Sequence, residues 1–519
     1  MMKKILTIML ALAMTTGASA QQGIENGDVP GETVIRLRNC RVGTPNPQFV
    51  PHRAPSLQGS ENPYIGNRHQ LVVLASFQDQ DFAKDHDATL QTWDKIFNAE
   101  NYAEDSFVGS VHDYFMAQSY GQFNLTFDLF FVELPDERYK YRSTASHDEY
   151  SQYMVDDIVD VLQTQNIDWS LYDWDGDAFV DQLLIIYAGE GMNAGGGSNT
   201  IWPHQWWLSQ HLNMDTDDPI DYRSYRTVMR DDKEYYVDCY CCLQELLKGN
   251  STKTPFGTIC HEYTHCFGFP DYYYSGDTKV VGDWDLMDNG NYNGQGFRPC
   301  NYSAHERMLM GWLTPVELTS TTTIAGMPAL VDEPVAYLIR NDGAENEYYI
   351  VENRQQRDWD KDLPGSGIVI FHIEYDKNLW HSTTEETNSS NRKRYQIFPA
   401  NNKPKFSDSN GWAYPYITTD NQGNESVAND SLTNTSEPAA TLNNPNIDGE
   451  LLMSKPITLM SVDANGLASF VFMDEETMSI HDVSSVQERE GPIYDLQGRR
   501  LSKPTKGLYI QGNKLRIKK

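Results

Sequence analysis

HEYTHCFGFPD, residues 261 to 271, constrains the fold more than any other stretch of the chain. Around it Phe256, Ile259, Tyr263 and Phe267 recur at helical intervals, and Pro255 suits a first helical turn. On a helix, His261 and His265 share one face a turn apart, the separation at which two imidazoles meet a single tetrahedral ion. Glu262 stands beside the first histidine, within reach of a water in the ion's open position. There it can act as general base and then as proton donor to a leaving amine.

This is the H-E-x-x-H arrangement of zinc peptidases, and the next six residues extend the pattern. Gly268 lies just past the helix, where a residue without Cβ can take the left-handed conformation and turn the chain sharply. Asp271 can then return as third ligand and leave the fourth position to water. Two rivals remain open. In a thermolysin-type site the third ligand is a downstream glutamate, for which Glu306 is the candidate. In a non-enzymatic exported surface protein or adhesin the metal is structural, a role that has no need of Glu262.

The first twenty residues, MMKKILTIMLALAMTTGASA, have the charged start, short apolar run and small-residue end of a secretory signal, so the mature chain is expected from Gln21. No cysteine follows the cleavage site to carry a lipid, and no later apolar run is long enough for a transmembrane segment. The expectation is a secreted, extracellular protein. With 73 acidic against 41 basic side chains, a net charge of −32, it should repel nucleic acid and anionic membranes.

A chain of 519 residues, 39% of them hydrophobic, exceeds one ordinary core. Residues 21 to 67 are rich in Pro, Gly and Asn and read as a pro-segment or linker. HQLVVLASFQD and LLIIYAG read as buried strands, and DSFVGSVHDYFMAQSYGQF as a helix, which predicts an α/β (α+β) catalytic domain over 68 to 313. Short β-rich runs such as GIVIFHIEY then predict a sandwich-like domain over 314 to 473, with a long polar loop at 405 to 448. A linker and a small, basic, β-like tail fill 474 to 519. In DWDGDAFVDQ, Asp173, Asp175, Asp177 and Asp181 offer hard oxygens at the odd spacings that calcium prefers, although Gly176 comes early for an EF-hand and Leu184 stands where its glutamate would. His204 reads as a histidine packed among Trp202, Trp206 and Trp207.

Seven cysteines leave an odd thiol, and CYCC at 239 to 242 reads as structural or disulfide-forming. Six lie between 239 and 300, so Cys40 is the candidate for the odd one. A thiolate there could take the open metal position and silence a precursor.

HEYTHCFGFPD followed by GDWDLMDNG resembles the immune inhibitor A family of secreted bacterial metallopeptidases, relatives of the metzincins with an aspartate as third ligand. The resemblance extends to residues 173 to 206, 110 to 125 and 348 to 373, and so over roughly 68 to 400. It implies a metzincin-like catalytic domain that cleaves protein or peptide substrates, and a methionine turn in which Met287 is a hydrophobic floor beneath the metal. Cys40 in RLRNCRVGTPNP resembles the cysteine switch of matrix metallopeptidases, without the aspartate that ends that motif. The extreme C-terminus resembles the sorting tails that Bacteroidetes present to their type IX secretion machinery, which implies a secreted product with possible attachment at the cell surface.

Overall fold

The computed structural model describes residues 62–143, 150–211, 223–247, 256–273, 280–380 and 387–474, together with short strands between 493 and 518. The signal, Cys40 and most of the pro-segment lie outside the described residues.

The first half of the chain holds β1 Gly66–Ser76, α1 His86–Asn98, α2 Val111–Gln118, β2 Phe123–Glu133, α3 Ser151–Leu162, β3 Phe179–Val180, β4 Leu183–Glu190 and β5 His204–Trp207. β6 Arg226–Arg230, β7 Lys233–Val237, β8 Cys239–Leu246, α4 Phe256–His265 and α5 Ala304–Leu309 complete it. A five-stranded sheet runs in the order β2-β1-β4-β8-β5. Its first four strands are parallel, and β5 closes the edge antiparallel to β8. The central strands are apolar runs because both faces are covered: Leu71 to Ala75 and Leu184 to Ala188 are fully buried. CYCC is the start of β8, buried throughout, and among the described residues every cysteine is a buried thiol.

The packed chain starts earlier than the expected 68. Tyr64 is buried against Phe123 and Phe267, and the Trp312 indole donates to its carbonyl at 2.8 Å. The surrounding Pro and Gly concealed this anchor in the sequence.

The second half contains β9 Val316–Glu317, β10 Thr322–Met327, β11 Tyr337–Asn341, β12 Ala344–Arg354, β13 Gly367–Glu374, the short α6 Lys377–Trp380 and β14 Tyr395–Ile397. β15 Tyr416–Thr419, β16 Glu425–Asn429, β17 Ile457–Val462 and β18 Ala468–Phe472 come next. A sheet β14-β13-β12-β11-β9 faces a smaller one, β10-β18-β17, across a core of Tyr349, Ile370, Ile457 and Phe470. The expected long loop contains the β15–β16 hairpin. In the tail, β19 Ile493–Tyr494, β20 Arg500–Leu501, β21 Gly507–Gln511 and β22 Lys514–Lys518 form one more sheet.

The larger sheet uses both faces. Alternating residues Tyr348, Ile350, Val369, Phe371 and Ile373 join the same hydrophobic cluster as β1, β4 and α4. That core therefore continues past residue 313.

α4 is buried along its length, and Tyr263 fixes it to the sheet. Its hydroxyl accepts from Gln182 at 2.9 Å and donates to Gln70 at 2.8 Å. On its other side the helix lies so close to residues 290–296 that a Cβ on Gly257 would sit 1.9 Å from the Asn291 carbonyl oxygen. Gly→Ala in an open helix gains about 1 kcal/mol. Gly257→Ala is instead expected to lose about 2–3 kcal/mol by overpacking, read as a lowered thermal midpoint.

Candidate metal centre

α4 carries His261 and His265 on the face turned toward the chain that follows it. Their rings lie 4.8 Å apart and nearly perpendicular. Gly268, at φ +87°, makes the left-handed turn the sequence predicts and sends the chain back past the helix end. Asp271 returns with it: its Oδ1 stands 3.2 Å from His261 Nε2 and 3.5 Å from His265 Nε2. Ligands about 2.0–2.1 Å from a tetrahedral zinc lie about 3.3 Å from one another, so these separations suit that ion.

The hydrogen-bonding of the rings leaves those atoms free for a metal. His261 Nδ1 faces the Leu286 carbonyl at 2.8 Å and His265 Nδ1 the Phe269 carbonyl at 2.7 Å. A carbonyl only accepts, so each Nδ1 holds the proton and each Nε2 presents a lone pair. His261 Nε2 and Asp271 Oδ1 are buried and have no hydrogen-bond partner. Orphaned, inward-facing donors of this kind fit a cation between them.

The electrostatics agree. Burial opposes ionisation of Asp271, yet His265 and His261 outweigh it and hold the carboxyl well below its usual range. Burial would likewise lower His265, but the Asp271 carboxylate prevails and raises it to about 9. The proton this shift favours on His265 Nε2 sits where a metal ion would, and metal binding there would displace it. Glu262, 4% exposed, is pushed up by burial and pulled down by the two imidazoles.

Met287 is buried in the turn after Val281, and its contribution runs through the backbone. Its carbonyl accepts from Tyr272 N at 2.9 Å, next to Asp271, while its N–H donates to Asp285 Oδ1 at 2.8 Å.

Glu306 is not brought to the histidines. It is the third residue of α5, where its Oε2 accepts from Ser303 N at 2.7 Å and the Ser303 hydroxyl donates to the same oxygen at 3.1 Å, a capping box. His204 is 1% exposed, its Nδ1 directed at the Trp202 carbonyl at 2.6 Å and its Nε2 3.0 Å from the Tyr240 hydroxyl, a packed histidine as its sequence suggests.

Asp173, Asp175 and Asp177 bring one carboxylate oxygen each within 4.8 Å of one another. They also serve their own loop, Asp173 accepting from Gly176 N at 2.9 Å and Ala178 N at 3.1 Å. Asp181 is buried beside them. Its Oδ2 accepts from Trp174 N at 2.6 Å, and its Oδ1 has no hydrogen-bond partner.

Sequence reasoning did not single out Leu286, whose carbonyl orients His261, or Phe269, whose carbonyl orients His265. Both act through backbone atoms, so no side-chain signal marks them.

A buried imidazole, a partly buried one and a carboxylate share one focus, with a second carboxylate alongside, a donor set that suits a metal ion. Residues 73–311 match the family model described as Immune inhibitor A peptidase M6, catalytic domain. The chain is also similar to Immune inhibitor A of Bacillus thuringiensis subsp. alesti, 23% identical over 331 residues that take in 54% of this chain and 46% of that protein. It thus spans about half the length of the curated relative it matches.

Metal analysis of two variants separates the ligand sets. Asp271→Ala is expected to lose most of its bound metal. Glu306→Gln should keep it and show only the roughly 1 kcal/mol loss of a weakened cap.

Proposed function

We propose that the protein is a secreted zinc endopeptidase, with His261, His265 and Asp271 holding the ion and Glu262 as general base. The observation that carries this reading is the convergence of the unpartnered His261 Nε2 and Asp271 Oδ1 with His265 Nε2, one residue from a buried glutamate. Zinc bound there supplies a Lewis acid that polarises the scissile carbonyl and acidifies water. Glu262 accepts the proton of the attacking water and delivers it to the amide nitrogen as the peptide bond breaks. The Leu286 and Phe269 carbonyls keep both imidazoles in the ligating tautomer throughout.

Calcium at Asp173, Asp175 and Asp177 belongs to the same reading, supported by their convergence and by the unpartnered, buried Asp181 Oδ1 beside them. Export by residues 1–20, latency through Cys40 or through cover by residues 21 to 67, and sorting by the tail rest on the sequence. Among the described residues no helix is long and apolar enough to cross a membrane.

Glu262→Gln is expected to bind zinc normally while cleavage of a denatured protein substrate falls at least about a hundredfold. Wild-type turnover by this variant would remove Glu262 from the mechanism, and wild-type protein that takes up no zinc would end the reading altogether. Added calcium should raise the melting temperature of the wild type and not that of a variant in which both Asp175 and Asp177 are Asn. Equal melting curves would leave the acidic loop as a turn.

A further inference from the structure

The turn that supports the metal donors is held from outside the segment matched by the family model. Asp285 is its hub: Oδ1 accepts from Met287 N at 2.8 Å, and its carbonyl accepts from Gly290 N at 2.8 Å. The next two carbonyls orient the donors, Leu286 O taking the His261 ring proton and Met287 O taking the Tyr272 N–H. The remaining carboxylate oxygen of Asp285 faces the hydroxyl of Tyr395, on β14, at 2.9 Å. The Tyr395 ring stacks on that of Tyr272 with centroids 4.0 Å apart. Asn388, fully buried, donates to the Tyr272 carbonyl at 2.7 Å and to the Tyr395 carbonyl at 2.9 Å. His261 and the backbone next to Asp271 are thus linked by hydrogen bonds through Leu286, Met287 and Tyr272 to Asp285, Tyr395 and Asn388.

From this geometry we infer that Tyr395 and Asn388, on the β-rich half, are positioning residues of the metal centre, and that residues 73–311 do not complete that centre by themselves. The route runs from the Tyr395 hydroxyl through Asp285 to the Leu286 and Met287 carbonyls, and from Asn388 through the Tyr272 carbonyl to the backbone that carries Asp271. The inference rests on the zinc reading and deepens it. Groups that orient ligands are worth about 10- to 100-fold in metal affinity when they touch the ligand, and Tyr395 acts one bond further away.

The test compares Tyr395→Phe with Tyr349→Phe in the full chain. Phe keeps both rings. Tyr349 lies on the opposite face of the same sheet, where its hydroxyl donates to the Thr441 carbonyl at 2.7 Å, so its loss removes an equivalent hydrogen bond far from the turn. Zinc affinity is measured by competition with a chelator, and ligand geometry by the visible absorption of the cobalt-substituted protein. Tyr395→Phe is expected to bind zinc about fivefold or more weakly and to shift the cobalt bands. Tyr349→Phe should lower the melting temperature while keeping wild-type affinity and spectrum. Wild-type zinc affinity and cobalt bands in Tyr395→Phe would overturn the inference, as would an equal loss of affinity in Tyr349→Phe. Should Tyr395→Phe fail to fold, Asn388→Ala is judged by the same two readouts against the same control. Wild-type protein that binds no zinc is a different outcome, which defeats the zinc reading itself.

Discussion

Burying acidic and basic groups together without a hydrogen bond between them is expensive, and the structure accepts that cost at the candidate metal centre. Asp271 and His261 lie almost out of solvent, their facing atoms unpartnered, while the other ring nitrogen of His261 is given to the Leu286 carbonyl. A cation between them would resolve the arrangement, and the surrounding structure holds these groups in place. α4 must be straight and buried to present two imidazoles, Gly268 must turn left-handed to bring the aspartate back, and the turn over 285–287 must offer its carbonyls at fixed points. Each requirement is met by backbone geometry, which a packed interior holds more firmly than a mobile side chain could.

The two halves share the task unequally. The parallel sheet carries α4 through the Tyr263, Gln70 and Gln182 hydroxyl and amide contacts, which makes the helix a rigid platform. The β-rich half meets the platform from the opposite side, bringing a fully buried charged cluster in which Arg354 pairs with Asp360 at 2.7 Å and Glu352 at 3.1 Å. Those carboxylates in turn receive backbone N–H groups, Asn301 N on Asp360 and Ala304 N on Glu352, so the start of α5 is fixed by residues far along the chain. A buried cluster of this kind contributes little net stability, while removing one partner alone leaves an uncompensated buried charge.

What the sequence made legible was local. The spacing of His261, Glu262 and His265 and the glycine after the helix are properties of a dozen residues, and the turn they predict is present at Gly268. β1 and β4 were legible because strands buried on both faces need unbroken apolar runs. Gly257 was not. In the sequence it is a weak point in a helix, and only the distant Asn291 carbonyl explains it. Tyr64 was hidden among prolines and glycines. Tyr395 lies 110 residues from Asp285, in a strand of three residues, and nothing near it in sequence points to the metal. Contacts between distant residues depend on topology, which hydrophobic periodicity does not encode.

The contacts of Asn62 and Tyr64 have one further consequence. Asn62 Nδ2 donates to the Met310 carbonyl at 2.8 Å across a separation of 248 residues, and Trp312 reaches back to Tyr64 beside it. The polypeptide thus enters and leaves the half that holds α4 at a single seam. A folded unit whose two ends are fastened together behaves as a closed ring: segments joined to either end emerge from the same edge, and lengthening them leaves its interior path unchanged. Such a ring lets the linkers at its edge vary in length, while the neighbour that brings Tyr395 and Asn388 to Asp285 and Tyr272 stays part of its interior.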